Sequence, residues 1–177
     1  IARIYMPNLD LSTLQPMLAI ARTYPTLCKP MLGLHPCYVQ NTFSHDLQLL
    51  ARSLPKHPFV AIGEIGIDLY KNKEKEKEQI EAFNIQLEWA IAYDLPLVLH
   101  CRESLDQVIA LLEEKKGKHP KLKGIFHCFT GTLTQARKVI ALGFYLGIGG
   151  IVTFSKKNPL RDLLPSLGLS SVVLETD

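Results

Sequence analysis

The chain has 177 residues, 47% of them hydrophobic and 21% charged, with a formal net charge of +3. That balance suits one compact domain spanning residues 1–177 and a polyanionic substrate, but it lacks the dense Lys/Arg stripe of a dedicated nucleic-acid-binding surface. No run approaches the ~18 apolar residues of a membrane span, and the start Ile1-Ala2-Arg3-Ile4 has neither the charged n-region nor the cleavage site of a signal peptide. Cys28, Cys37, Cys101 and Cys128 form no C-x-x-C pair and read as reduced thiols. The expectation is a cytoplasmic protein with no membrane contact and no obligate protein partner.

In chain order, residues 2–6 read as a strand broken by Pro7-Asn8, and Asp10 or Ser12 is the N-cap of a helix through Leu14, Leu18 and Ala21. Residues 31–34 form a second strand ending in His35-Pro36. A helix from Ser44 through Leu47, Leu50 and Leu54 stops before Pro55. The third strand carries Glu64. Next comes a helix over residues 74–93, with Ile80, Phe83, Leu87 and Ile91 on one stripe. Its first turn, within the mixed-sign run of residues 71–78, is a solvated helix start rather than a binding patch.

Residues 95–100 form the fourth strand, followed by a helix from Ser104 through Val108 and Leu112 to Gly117. Residues 123–128 are a strand, 133–142 a helix closed by Gly143, and 144–148 a strand running into Gly149-Gly150. A short helix near residues 160–164 precedes a last strand at 172–175. The apolar runs are continuous rather than alternating, as in parallel strands buried on both faces. Seven strands alternate with about six helices, an α/β pattern one strand short of the ~8 of a (β/α)8 TIM-type barrel. The barrel is therefore expected to be incomplete as given, without its first β/α unit and last helix.

Four of these runs stop on a group able to hold a divalent cation: Glu64, His100, His127 and Asp177. In a barrel such strand ends meet at one rim, where the chemistry of these folds resides. A lone strand-end histidine is ordinarily hydrogen-bonded or solvent-facing. Here both histidines follow similar apolar runs and both precede a cysteine, which alternation turns toward the helix layer. Glu64, between glycines at a strand end, gains little from burial unless it is paired or metal-bound. Asp68, in the same motif, reads as a supporting acid beyond the strand end. Alternation puts Glu175 and Asp177 on one face, which leaves either as the inward acid. Arg102 suits a phosphate, since its planar fork binds two oxygens, and equally suits an internal pair with Glu64 or Glu103. His35 is divided between substrate contact and loop packing. The set has the chemistry for two-metal hydrolysis of a phosphodiester.

Gly33-Leu34-His35-Pro36, Gly63-Glu64-Ile65-Gly66-Ile67-Asp68, Leu99-His100-Cys101-Arg102-Glu103, His127-Cys128-Phe129-Thr130-Gly131, Tyr145-Leu146-Gly147-Ile148-Gly149-Gly150 and Leu174-Glu175-Thr176-Asp177 occur in the order and spacing of the TatD-type metal-dependent deoxyribonucleases, which the chain resembles over nearly its whole length. The resemblance implies a distorted barrel similar to that of the amidohydrolases, two divalent ions (Mg, Mn or Zn) at the C-terminal rim, and DNA as substrate, degraded from its ends. By the same resemblance Glu64 bridges the ions, His100 and His127 hold the second, and Asp177 binds the first and acts as general base. Arg102 and His35 are the candidate substrate contacts. The chain has no H-x-H pair, which in this family completes the first metal site on the opening strand, so that site is expected to be incomplete here. A hydrolase of small esters, amides or lactones, and a non-catalytic barrel used as a binding scaffold, are the alternatives.

Overall fold

Local sequence sets the helix ends. Asp10 caps the first helix, its carboxylate accepting from Thr13 N at 3.0 Å while Asp10 N donates to the Thr13 hydroxyl at 3.1 Å, a reciprocal capping box. The longest helix ends on Asp94 in the left-handed region, whose N–H closes back on Ala90 and Ile91. Thr132 and Gln135 form a second capping box at the start of the fifth helix.

The computed structural model describes residues 1–154 and 158–176. Along them run β1 (Ile4–Pro7), α1 (Leu11–Thr23), β2 (Cys28–Met31), α2 (Phe43–Ala51), β3 (Ile62–Asp68), α3 (Glu76–Tyr93), β4 (Leu97–Arg102), α4 (Leu105–Lys118), β5 (Gly124–Phe126), α5 (Leu133–Ala141), β6 (Tyr145–Ile148), α6 (Pro159–Leu163) and β7 (Val172–Leu174). Every strand pairing among the described residues is parallel. β1 pairs with β2, and β3 to β7 form one sheet in chain order. Among the described residues an isolated bridge between Leu32 and Ile62 joins the two sets, and beside it Val60 N donates to Pro30 O at 3.0 Å. Strand order equal to chain order, with helical crossovers, is the winding of a TIM-type barrel. Among the described residues, β7 and β1 are not paired. Among the described residues no helix is long and apolar enough to cross a membrane.

The second strand lies three residues earlier than its apolar run suggests. Cys28 to Met31 pair with β1, so Lys29 and Pro30 sit inside the strand, while Leu32 makes only the isolated bridge. Backbone pairing, not side-chain polarity, set that boundary. Asp68 likewise differs from expectation, being the last residue of β3 and fully buried rather than beyond the strand.

The core lies where α3 covers the strands. Phe83, Leu87, Ile65, Leu97 and Leu99 are fully buried there, and Phe126 is nearly so. Truncating a buried Phe costs about 3–5 kcal/mol through lost transfer energy and the cavity left behind. Phe83→Ala is therefore expected to lower the urea midpoint sharply, and a midpoint unchanged within error would show that α3 does not anchor this layer.

Two glutamines on the inner face of α3 hold loop backbone in register. Gln79 accepts from Asp68 N at 2.7 Å and donates to Asp68 O at 3.2 Å. Gln86 does the same for Leu34, accepting from its N at 2.6 Å and donating to its O at 3.3 Å. Both amides are buried, so each bond satisfies a group that would otherwise be stranded. Together they fix the loop that carries His35 and the end of β3 that carries Asp68.

Candidate metal centre

Glu64 sits near the middle of β3 with its side chain 13% exposed, and two histidines flank its carboxylate. His35 Nε2 lies 3.5 Å from Glu64 Oε2, and His127 Nε2 lies 3.4 Å from Glu64 Oε1. These three groups come from the β2 loop, β3 and the end of β5. His100, on β4, stands beside His35 with ring centroids 4.5 Å apart. Gly66 pairs with His100 across the two strands at φ +143, and a Cβ there would fall 2.0 Å from His100 O, so only glycine permits this approach. Glu64, His100, His127 and His35 are therefore gathered on one rim. Asp177 lies outside the described residues.

Each candidate imidazole has one nitrogen engaged by a carboxylate. His127 Nδ1 donates to Glu175 Oε2 at 2.9 Å, and Glu175 Oε1 also accepts from Cys128 N at 2.5 Å. Read as the neutral tautomer, His127 then turns an unprotonated Nε2 toward Glu64. His100 Nε2 is 2.9 Å from Asp68 Oδ2, and read as the neutral tautomer with that proton between them its lone pair is on Nδ1. Asp68 itself is held by Tyr70 N at 2.9 Å and Lys71 N at 2.6 Å. Burial alone would raise the pKa of Asp68. The Lys71 N–H and the His100 and Cys37 hydrogen bonds outweigh burial and hold it below the usual carboxylate value. A carboxylate that fixes the tautomer of a metal-binding histidine is the common outer layer of such sites. The Glu64 carboxylate with the oriented His127 imidazole 3.4 Å away has the donor chemistry of a divalent-cation site, and His100 stands on the same rim.

Glu175 is the functional group that sequence reasoning set aside in favour of Asp177. It follows β7, yet reaches across β6 to His127, and Gly147 makes the crossing possible: a Cβ there would lie 2.5 Å from the carboxylate. The glycine in Tyr145-Leu146-Gly147 was the available signal. Removing such a supporting partner typically costs about 10–100-fold in metal affinity or activity. Glu175→Gln is expected to fall in that range by metal titration, and unaltered affinity would mean that His127 is oriented by something else.

His35 differs from the other two imidazoles. Its Nδ1 accepts from Cys37 N at 3.1 Å, so the ring proton sits on Nε2 and faces Glu64 as a donor. Burial, and then the neighbouring His100, push its pKa down to about 4. It is thus a neutral N–H donor at pH 7, suited to a substrate oxygen. Arg102 closes β4 and stacks over the exposed Tyr70 ring at 3.9 Å, which fixes an outward guanidinium at the rim. Beside His127, a cavity of about 430 Å³ opens between the β4 and β5 loops, lined by Glu103, Asp106, Phe129 and Thr130 among others. Cys101 is half-buried, and desolvation of the thiol raises its pKa. Cys128 lies beyond β5 at φ 45, so strand alternation does not govern its direction.

A parallel α/β winding with carboxylate and imidazole groups on the rim of its strands defines the class of metal-centred barrels. The chain belongs to the TatD related DNase family, whose profile matches residues 1–177. It is 34% identical over 179 residues to the Escherichia coli K12 protein described as the uncharacterized metal-dependent hydrolase YjjV, a match covering all of this chain and 68% of that protein. It is 40% identical over 161 residues to the 3'-5' ssDNA/RNA exonuclease TatD of Cronobacter turicensis, covering 90% of this chain and 60% of that enzyme. The crystal structure of E. coli YjjV superposes with a TM-score of 0.90 at 33% identity, over 100% of this chain and 68% of that one. The chain thus spans 60% to 68% of the length of these relatives.

Proposed function

We propose that residues 1–177 belong to one hydrolase domain that cleaves phosphodiester bonds at the ends of DNA or RNA strands with the help of bound divalent cations. The observation that carries this reading is the Glu64 carboxylate set between His127 Nε2 and the His35 N–H, at 3.4 and 3.5 Å. A single-stranded substrate is supported by the relatives named as 3'-5' ssDNA/RNA exonucleases.

Glu64, His127 and His100 are the residues that would hold metal, joined by Asp177 as the family resemblance implies. A bound divalent ion would lower the pKa of a water toward neutrality and offset charge on the phosphoryl oxygens. The remaining work falls to the chain. Glu175 and Asp68 keep protons on His127 Nδ1 and His100 Nε2, so the lone pair on the other nitrogen of each ring stays available. His35 donates from Nε2 to a non-bridging oxygen. Arg102, braced on Tyr70, pairs with the phosphate next along the strand, and a fixed guanidinium loses little entropy on engaging it. Asp177 accepts the proton of the attacking water.

Fold and ligand set do not choose between a phosphodiester and a small ester, amide or lactone, because substrate choice lies in the loops. A panel assayed with Mg²⁺ or Mn²⁺ separates them, using labelled single-stranded DNA, RNA and duplex beside small carboxyl esters and lactones. Stepwise shortening of the labelled strands is expected. Turnover of esters or lactones with every nucleic acid left intact would overturn the reading.

A further inference from the structure

A second group of metal-binding side chains lies against the centre and includes a thiol that the hydrolytic reading does not use. One ligand atom each from His35, Cys37 and His100 lies within 4.8 Å of the others. Cys37 Sγ donates to Asp68 Oδ2 at 3.3 Å, and His100 Nε2 meets the same oxygen at 2.9 Å. Sulfur, imidazole and carboxylate thus converge on one point, with protons bridging them. Cys37 is half-buried, so a small ion can reach it, and the His35-Pro36 turn fixes the backbone on which it sits.

We propose that Cys37, His100 and Asp68, with a His35 nitrogen freed from its Cys37 N–H bond, form a binding site for a soft or borderline divalent ion such as Zn²⁺ or Cd²⁺, and that its occupancy switches the hydrolytic centre off. A thiolate selects such ions over Mg²⁺ and Mn²⁺, and one sulfur with nitrogen and oxygen ligands suits tetrahedral zinc. Binding displaces the Cys37 thiol proton to solvent and replaces the bridging hydrogen bonds by metal bonds. The Asp68 contact that holds the His100 tautomer is then lost, and His35 is drawn away from Glu64. Inhibition follows from the sharing of His100 and His35 between the two sites. The binding half of the proposal does not depend on which substrate the centre hydrolyses.

The test uses Cd²⁺ alone, read by its thiolate charge-transfer absorption in the near ultraviolet. The intact protein is expected to develop that band stoichiometrically, Cys37→Ser to lose it, and Cys101→Ser and Cys128→Ser to keep it. No band in the unmodified protein, or a band surviving in Cys37→Ser, overturns the site. X-ray absorption of the zinc-loaded protein needs no variant: one sulfur at about 2.3 Å with nitrogen and oxygen neighbours is expected, and a shell without sulfur contradicts it. For the switch, Zn²⁺ is titrated against the Mn²⁺-supported rate of each protein. Cys37→Ser is expected to shift the inhibition midpoint upward by about tenfold or more, since loss of even an outer partner of a metal ligand typically costs about 10–100-fold and Cys37 is proposed as a ligand itself. An identical midpoint overturns the inhibitory role. A protein that binds Cd²⁺ through Cys37 but hydrolyses nothing would sink the hydrolase reading and leave the site standing.

Discussion

Glu64→Gln is expected to reduce hydrolysis and divalent-ion retention together, by more than the roughly 10–100-fold typical of a lost supporting partner. The variant keeps the shape of the side chain and removes its charge. Glu64 is nearly buried and has an imidazole nitrogen within 3.5 Å on each side, so the carboxylate is the natural anionic anchor for a cation at this rim. Metal-free stability is expected to hold or rise, since a nearly buried charge is costly without its counter-ion. Elemental analysis, thermal unfolding and turnover separate the outcomes. A variant that unfolds would make Glu64 a structural residue, and one that retains full metal and rate would remove it from the centre.

His127→Ala is the second large effect. It deletes the lone pair facing Glu64 and also strips Glu175 of its imidazole partner, which leaves that carboxylate with the Cys128 N–H. Metal content and turnover are expected to fall by about 100-fold or more, beyond the range for Glu175→Gln, because the substitution removes a proposed ligand rather than its support. If Glu175→Gln proves the more damaging of the two, Glu175 is itself a ligand and the roles assigned here are reversed.

Much of this arrangement was legible in the residues, for reasons that the elements make plain. Continuous apolar runs between helices of 3.6 period forced parallel strands, and parallel strands deliver their C-terminal residues to one rim. That is why Glu64, His100 and His127 are found together although 63 positions separate the first from the last. What escaped was decided by tertiary partners. Gln79 and Gln86 look like ordinary helix-surface polar residues until the backbone of Asp68 and Leu34 is brought against them. Alternation placed Glu175 and Asp177 on the same face and so left them equivalent. It is Gly147 on the neighbouring strand that gives Glu175 its path to His127. The register of β2 was hidden because Lys29 and Pro30 interrupt the apolar pattern without interrupting the pairing with β1.

The contrast between His35 and the other two imidazoles carries the same lesson at finer scale. All three are strand-end histidines in the sequence, and only their partners tell them apart. A backbone N–H turns His35 into a donor, whereas carboxylates leave His127 and His100 each with an acceptor nitrogen, that of His127 facing Glu64. Residue type supplied the candidates; the hydrogen-bond partner supplied the role.

The most direct test of the metal centre is anomalous scattering from a crystal of the Mn²⁺-loaded protein. A peak within coordination distance of both Glu64 and His127 Nε2 is predicted. Clear density for empty, directly hydrogen-bonded side chains at that rim under saturating Mn²⁺, or a peak bound elsewhere, would contradict the account.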